Sequence, residues 1–328
     1  MELKQEVLKI LEENRGQSIS GSALAKKLFV TRSAIWKAIK SLQKEGYNII
    51  ATTNKGYCLA PDNDIVSAES ILPFLHGTAA SFTLDVRKTV TSTNTIAKEM
   101  ASQGAKEGTV IIAKEQTAGR GRLGRSFYSP TATGIYFSVL LRPKLTIQDS
   151  MLITTAVAVI VAQAIERIAQ VPVGIKWVND IFIGPKKVCG ILTEASINFE
   201  NGGLEYAIVG IGINISTNGF PEEIKEIAGA VFEEKPEDAP VTSMLVADIL
   251  NHIAKDIDIL SSKEYLDEYR KRSFLLGQEV LVMKGSEILP AKAIAIDEKA
   301  RLVVEYQNKE QEALVSGEVS VRPSPQKL

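Results

Sequence analysis

Apolar positions in the first sixty residues recur at helical spacing and then switch to strand spacing. LKQEVLKILEEN carries apolar side chains at 3, 7, 8, 10 and 11, one stripe of a helix. ISGSALAKKLFV predicts a short second helix that Ser20 or Ser22 can cap. VTRSAIWKAIKSLQKEG predicts a third, with Thr31 to start it and Gly46 to end it. Ile35, Ile39 and Leu42 share one face of that helix; Arg32, Ser33, Trp36, Lys37 and Lys40 share the other. NIIATTNKGYCLA then reads as two β runs around Asn54-Lys55-Gly56, a wing with Lys55 at its tip. Two helices joined by a few residues, the second facing outward with cations and a tryptophan, form a helix-turn-helix pattern. This predicts a DNA-binding head over 1–62; a helical interaction domain with a solvated basic face is the alternative. Pro61-Asp62-Asn63-Asp64 reads as a linker.

Beyond it the pattern changes. FTLDVRKTV (82–90), TVIIAKE (109–115) and GIYFSVLLRP (134–143) read as strands. Ser92-Thr93-Asn94 offers three adjacent capping-type side chains before the helix TIAKEMASQ. A long apolar helix is predicted over about 147–169. VGIKWVNDIFI, KVCGILTEASI and EYAIVGIGINI are three further β runs, with turns at Gly184-Pro185-Lys186 and Asn201-Gly202-Gly203. Helices are expected near 220–229, 241–260 and 263–271. The strands come in adjacent pairs rather than in βαβ alternation, which predicts an α+β domain with a mixed sheet over 65–272. QEVLVMK, LPAKAIAID, ARLVVEYQ, EALVSGE and VSVRP predict a small β-barrel over 273–328.

Charge sharpens this division. The 328 residues carry a net charge of -1, but residues 1–60 hold ten basic and five acidic side chains, a basic head on an acidic body. Cys58 and Cys189 lie far apart and make no disulfide framework, which fits a reducing cytosol. With His76 and His252 as the two histidines, histidine triads and His-rich metal sites are not expected. No secretory signal is visible, and MLITTAVAVIVAQAI (151–165) falls short of a membrane span, so a buried core helix is expected.

QTAGRGRLGR (116–125) brings the chemistry. GRGRLG formally matches G-x-G-x-x-G, but RSFYSPTATG and another strand follow instead of a helix, so it is neither a dinucleotide turn nor a P-loop. Its glycines let the backbone approach a ligand, and its arginines offer planar forks for carboxylate or phosphate. Such a loop can close over an anionic ligand; a basic loop without fixed structure, or a second nucleic-acid contact, remains the alternative. Lys176, Asp180 and Lys187 sit at the ends of apolar strands, either on a solvated rim or aimed into a pocket. Taken with the arginine loop they suggest a site for an anion such as a nucleotide with a divalent metal.

In combination, VTRSAIWKAIKSLQKEGY, TSTN (91–94), GRGRLGR (119–125), KWVND (176–180), KVCGIL (187–192) and VGIGINI (209–215) resemble the biotin protein ligases that also repress biotin operons. The resemblance covers nearly the whole chain; Val178 departs from it, where the family usually has proline. It implies a winged helix-turn-helix, a class II synthetase-like catalytic domain and an SH3-like β domain. It implies that Ser92, Thr93 and Asn94 line a biotin pocket. Gln116, Arg120, Gly121 and Arg122 would contact biotin and its adenylate, and Lys187 the carboxylate end and the phosphate. Lys176 would stabilise charge, and Asp180 would hold Mg²⁺ or orient a neighbour. Arg32, Ser33, Trp36, Lys37, Lys40 and Lys55 would meet operator DNA. The implied reaction makes biotinyl-5′-AMP from biotin and ATP and passes biotin to a lysine of the biotin carboxyl carrier protein, an acetyl-CoA carboxylase subunit, or of other biotin-dependent carboxylases. The adenylate would also be the corepressor of a homodimer, in the cytoplasm and with no membrane partner. Two other readings stay open on the residues: a repressor that senses an acyl-adenylate without transferase activity, and a ligase for lipoate or octanoate.

Overall fold

A computed structural model describes residues 2–131, 133–146, 150–197, 202–216, 219–256, 263–284, 286–315 and 319–323. The chain divides into two compact units, Met1–His76 with Glu234–Leu250, and Gly77–Glu233 with Asn251–Leu328.

The first unit opens with α1 (Leu3–Glu13), α2 (Gly21–Lys27) and α3 (Arg32–Lys44), followed by the antiparallel pair β1 (Ile49–Thr52) and β2 (Gly56–Leu59). The apolar stripes meet as the pattern requires: Val7, Leu11, Leu24, Ile35, Ile39, Leu42 and Leu59 are buried in one cluster. Ser20 Oγ accepts from Ala23 N at 3.0 Å and Thr31 Oγ1 from Ala34 N at 3.2 Å, so both caps form. The short helix α4 (Ala68–Ile71) was not visible in the pattern. The stretch expected as a linker is pinned. Arg15, paired with the buried Glu12, also donates to the carbonyls of Ala60, Pro61 and Asn63. Asp64 accepts from Lys235 Nζ at 2.9 Å, from Thr242 N at 3.0 Å and from Thr242 Oγ1 at 2.5 Å. It thereby caps α7 (Val241–Asp256), a helix far along the chain.

The second unit is built on one mixed sheet. Its strands are β3 (Thr83–Arg87), β4 (Thr109–Ala113), β5 (Gly134–Leu141), β6 (Gly174–Lys176), β7 (Asp180–Ile183), β8 (Lys186–Ile197) and β9 (Leu204–Asn214), in the order β3-β4-β5-β9-β8-β7-β6. β3 and β4 pair in parallel and the other neighbours antiparallel. VGIKWVNDIFI, read as one run, is a hairpin of β6 and β7 that turns through 177–179. The sheet is covered on both faces. Glu194 of β8 bonds to Asn94 on α5 (Thr93–Ser102), while its neighbour Thr193 bonds to Thr154 on α6 (Ser150–Ala169). Adjacent residues of a strand point to opposite faces, so α5 and α6 lie on opposite sides. By length and composition α6 could cross a membrane, but it is mostly buried as a core helix.

The helix expected near 220–229 is absent; turns run through 222–227 instead. Isolated helical-type bonds form, Lys225 N to Pro221 O at 3.0 Å and Ala228 N to Ile224 O at 2.8 Å, but the end of the segment also bonds sideways to the sheet. Lys187 N donates to Ile227 O at 2.7 Å and Gly229 N to Lys187 O at 2.8 Å, which takes the groups a helix would use.

α8 (Tyr265–Arg272) leads into a five-stranded antiparallel sheet of β10 (Glu279–Lys284), β11 (Glu287–Ile296), β12 (Leu302–Tyr306), β13 (Gln311–Leu314) and β14 (Val319–Pro323), ordered β13-β12-β11-β10-β14, in keeping with the SH3-like expectation. It is tied to the β6–β7 turn from outside. Trp177 Nε1 donates to Ala300 O at 3.0 Å, and the buried Tyr269 hydroxyl donates to Val178 O at 3.0 Å. The Trp177–Val178 peptide is cis.

Candidate active site and nucleic-acid interface

One cleft in the second unit, with about 990 Å³ of empty space including its open mouth, gathers the candidate residues. Ser92, Thr93, Asn94, Gln116, Arg120, Gly121, Arg122, Lys176, Asp180 and Lys187 all line it. The strand-end charges are therefore pocket groups, not a solvated rim.

The back wall is the start of α5. Ser92 is the N-cap, yet its side chain caps nothing. Thr93 and Asn94 are almost fully buried and bond across the sheet instead. Gln116 Oε1 accepts from Thr93 N at 2.8 Å and from its hydroxyl at 3.1 Å, while Gln116 Nε2 donates to Ser129 Oγ at 3.0 Å. Asn94 Nδ2 donates to Leu192 O at 3.2 Å and to Glu194 Oε2 at 2.9 Å, which leaves its Oδ1 as an acceptor. Ser138 Oγ lies 2.6 Å from that oxygen and 2.7 Å from Thr93 Oγ1. The Thr93 hydroxyl directs its one proton to Gln116, so the Ser138 hydroxyl is the donor shared between Asn94 Oδ1 and Thr93 Oγ1. The result is a fixed row of polar groups at the end of an otherwise apolar wall, suited to a neutral ligand with a polar head.

The floor is β8 and β9. Gly190, Gly210 and Gly212 line the cleft, and the Phe127 ring lies over two of them: a Cβ on Gly212 would come within 2.6 Å of it, one on Gly190 within 3.1 Å. The ring therefore packs directly on the glycine backbone, as Asn94 does on Gly210, and the Phe127 ring itself gives the cleft an apolar surface.

Cations gather at the other end. Lys187 Nζ is 2.6 Å from Asp180 Oδ1 and 6.0 Å from the Phe127 ring centre. Arg122 donates to Asn179 Oδ1 at 3.1 Å, and burial lowers its pKa from the ordinary value, opposed by Asp180. Arg120 is half exposed and pairs at 3.3 Å with Glu194, the residue that also holds Asn94, so this cation stands at the polar end of the cleft. Positive groups over a low-dielectric slot favour a carboxylate or phosphate arriving there. Cys189, beside Lys187, is buried and its thiol is pushed up by desolvation, so it is no nucleophile.

Among the described residues no cluster of three His, Cys, Asp or Glu side chains surrounds a metal position. Asp180 stands as a single carboxylate, which fits a magnesium ion that arrives on nucleotide phosphates rather than in a protein cage.

Phe127, Ser129, Ser138, Asn179 and Glu194 were missed from the sequence. Two signals pointed to part of this: the alternation Gly210-x-Gly212 inside a strand, and Ser138 alone in an apolar run.

In the first unit, Arg32, Ser33, Trp36, Lys37 and Lys40 are all exposed on α3, and Lys55 is exposed in the β1–β2 turn. Their apolar partners face the core.

Known proteins share all three parts of the chain. Residues 86–214 match the biotin/lipoate A/B protein ligase family, residues 4–58 an HTH domain, and residues 275–322 the biotin protein ligase C-terminal domain. The chain is 33% identical to the bifunctional ligase/repressor BirA of Bacillus spizizenii over 93% of its length and 94% of that protein's. It is 24% identical to the bifunctional ligase/repressor BirA of Escherichia coli, over 94% of each chain. Among solved structures, the biotin protein ligase from Aquifex aeolicus in complex with biotin and ATP aligns with a TM-score of 0.62 at 29% identity, covering 74% of this chain and 99% of that one.

Proposed function

The chain belongs to the bifunctional ligase/repressor family, and from that premise we propose how its residues divide the work. It is an ATP-dependent biotin protein ligase that forms biotinyl-5′-AMP and transfers biotin to a carrier lysine, and a DNA-binding repressor with the adenylate as corepressor. The observation that carries the ligase reading is the two-ended cleft: the fixed polar groups of Thr93, Asn94 and Gln116 at one end, with Arg120 beside them through Glu194, and Lys187 and Arg122 at the other.

Biotin lies in the cleft against the Phe127 ring, its ring head against the Thr93, Asn94 and Gln116 row and its carboxylate toward Lys187. In the first step a carboxylate oxygen attacks the α-phosphorus of ATP; the new O–P bond forms as the bond to pyrophosphate breaks. Two anions must approach, so Lys187 and the arginines of the 119–125 loop reduce their repulsion and stabilise the charge that develops on the phosphate. Asp180 holds Lys187 in place. Asp180 would be the protein carboxylate for a magnesium ion carried on the phosphates, which would supply further charge neutralisation. Loop closure keeps water from the mixed anhydride. In the second step the carrier's lysine amine attacks the biotinyl carbonyl and AMP leaves. Lys176 adds positive charge to the nucleotide end.

The carrier is the biotin carboxyl carrier protein of acetyl-CoA carboxylase or the equivalent domain of another carboxylase. With adenylate bound the chain dimerises and presents two winged heads, whose Arg32, Ser33, Trp36, Lys37, Lys40 and Lys55 meet two half-sites. It works in the cytoplasm.

The test is to incubate the purified protein with ATP, Mg²⁺, biotin and an apo carrier domain and to weigh the carrier. A gain of one biotin, lost in Arg120→Ala and in Lys187→Ala, is expected. No gain, with biotin still tightly bound, sinks the ligase reading and leaves a sensor-only repressor.

A further inference from the structure

The turn that leads from α2 into α3 closes in a Schellman arrangement. Val30 N donates to Ala25 O at 3.0 Å and Phe29 N to Lys26 O at 3.4 Å. Those two bonds end a helix when the residue after the cap turns left-handed. That residue is Phe29, with a φ of +55°. Glycine is favoured at such a position because a Cβ crowds the neighbouring carbonyl, and a bulky aromatic bears that backbone cost in full. The phenylalanine side chain is also 95% exposed. Two unfavourable choices, left-handed backbone and an apolar ring in water, fall on one residue beside the outward helix. Strain and exposure retained together point to a contact made outside the fold.

The surroundings select the occupant. Lys26 and Lys27 stand exposed just before Phe29, Arg32 just after it, and Trp36, 52% exposed, one turn further along α3. An apolar ring among cations suits a polyanion that carries apolar groups on its edge. Duplex DNA is such a partner: its phosphates take lysine and arginine, and the thymine methyl in the major groove takes a ring. A second copy of the same basic surface would be repelled by like charge. We propose that Phe29 is a specificity-determining residue of the DNA contact, set beside Trp36 against thymine methyl groups. This rests on the repressor reading of the chain.

For the test, a duplex is selected from a random pool by the parent protein in the presence of biotin, ATP and Mg²⁺. It is then synthesised once with thymine and once with deoxyuridine, which lacks only the methyl. The parent is expected to bind the thymine duplex roughly tenfold more tightly. Phe29→Gly and Phe29→Asn both tolerate left-handed backbone. Each should lose most of that preference, bind the thymine duplex about as weakly as the parent binds the deoxyuridine one, and unfold in urea at a midpoint no lower than the parent's. Equal parent affinity for the two duplexes, or variants that keep the full preference, overturns the assignment. Variants that sediment as a smaller species than the parent without DNA would make Phe29 a contact between copies, and also overturn it. Failure of the parent to enrich any duplex strikes down the repressor reading itself, and this inference with it.

Discussion

Asn94 Oδ1 occupies the space over Gly210 where a side chain would begin: a Cβ there would lie 2.1 Å from it. The back wall of the slot therefore depends on a missing methyl in the neighbouring strand. Gly210→Ala should push the Asn94 amide off its bonds to Glu194 and Ser138 and weaken biotin binding by roughly 10–100-fold, the loss of one or two oriented hydrogen bonds. Titration calorimetry with biotin measures this, with circular dichroism to show that the sheet persists. Unchanged affinity would mean that Asn94 has no part in the pocket.

Lys187 and Asp180 form a partly exposed pair at 2.6 Å. Asp180→Asn keeps a hydrogen-bond acceptor but removes the charge that fixes the lysine. Adenylate formation should slow by roughly 10²-fold, the scale on which misplacing one stabilising donor is felt. Biotin affinity should change little. Pyrophosphate release in single-turnover experiments reads the first quantity and calorimetry the second; an unaltered rate would show that Asp180 does not position Lys187.

The Tyr269 hydroxyl donates to the Val178 carbonyl from outside the cleft, between Lys176 and Asp180. Tyr269→Phe leaves that buried carbonyl unpaired, at a cost of about 1–3 kcal/mol. The expected outcome is a higher KM for ATP and an unchanged one for biotin. A rise in both, or in neither, would separate α8 from the nucleotide end of the site.

Burial raises the Glu12 carboxyl above its usual 4.5, with Arg15 opposing. A carboxyl with a raised folded pKa binds its proton more readily in the folded head than in the unfolded chain. Its contribution therefore improves as pH falls from neutrality through the raised value toward 4.5, and is lost again as pH rises. Urea midpoints of the parent and Glu12→Gln across that window should show the parent gaining on the variant as acid is added. A constant difference would mean that Glu12 titrates alike in both states.

The head was legible because its apolar stripe, its caps at Ser20 and Thr31 and its outward cations repeat the same message over short distances. The mixed sheet was legible because paired strands without intervening helices leave a clear period. The 222–227 segment misled, since Pro221 followed by acids and lysine looks helical until the sheet claims its backbone. Ser92-Thr93-Asn94 misled in another way: three good capping residues turned their side chains to the cleft, a tertiary choice that local propensity does not encode. Glu194 and Ser138 were invisible for the same reason, because their partners lie at least 44 residues away in the chain.

Asp64, by capping α7 and holding Lys235, makes the head a structure assembled from both sides of the chain's central stretch. Topologically, Gly77–Glu233 is an insertion whose two ends are stitched into the same small body. A protease that nicks the insertion would not set the head free. The winged core of residues 3–65 draws no side chain from that helix, so a head transplanted alone would keep its core and forfeit the anchor at its Asp64 end.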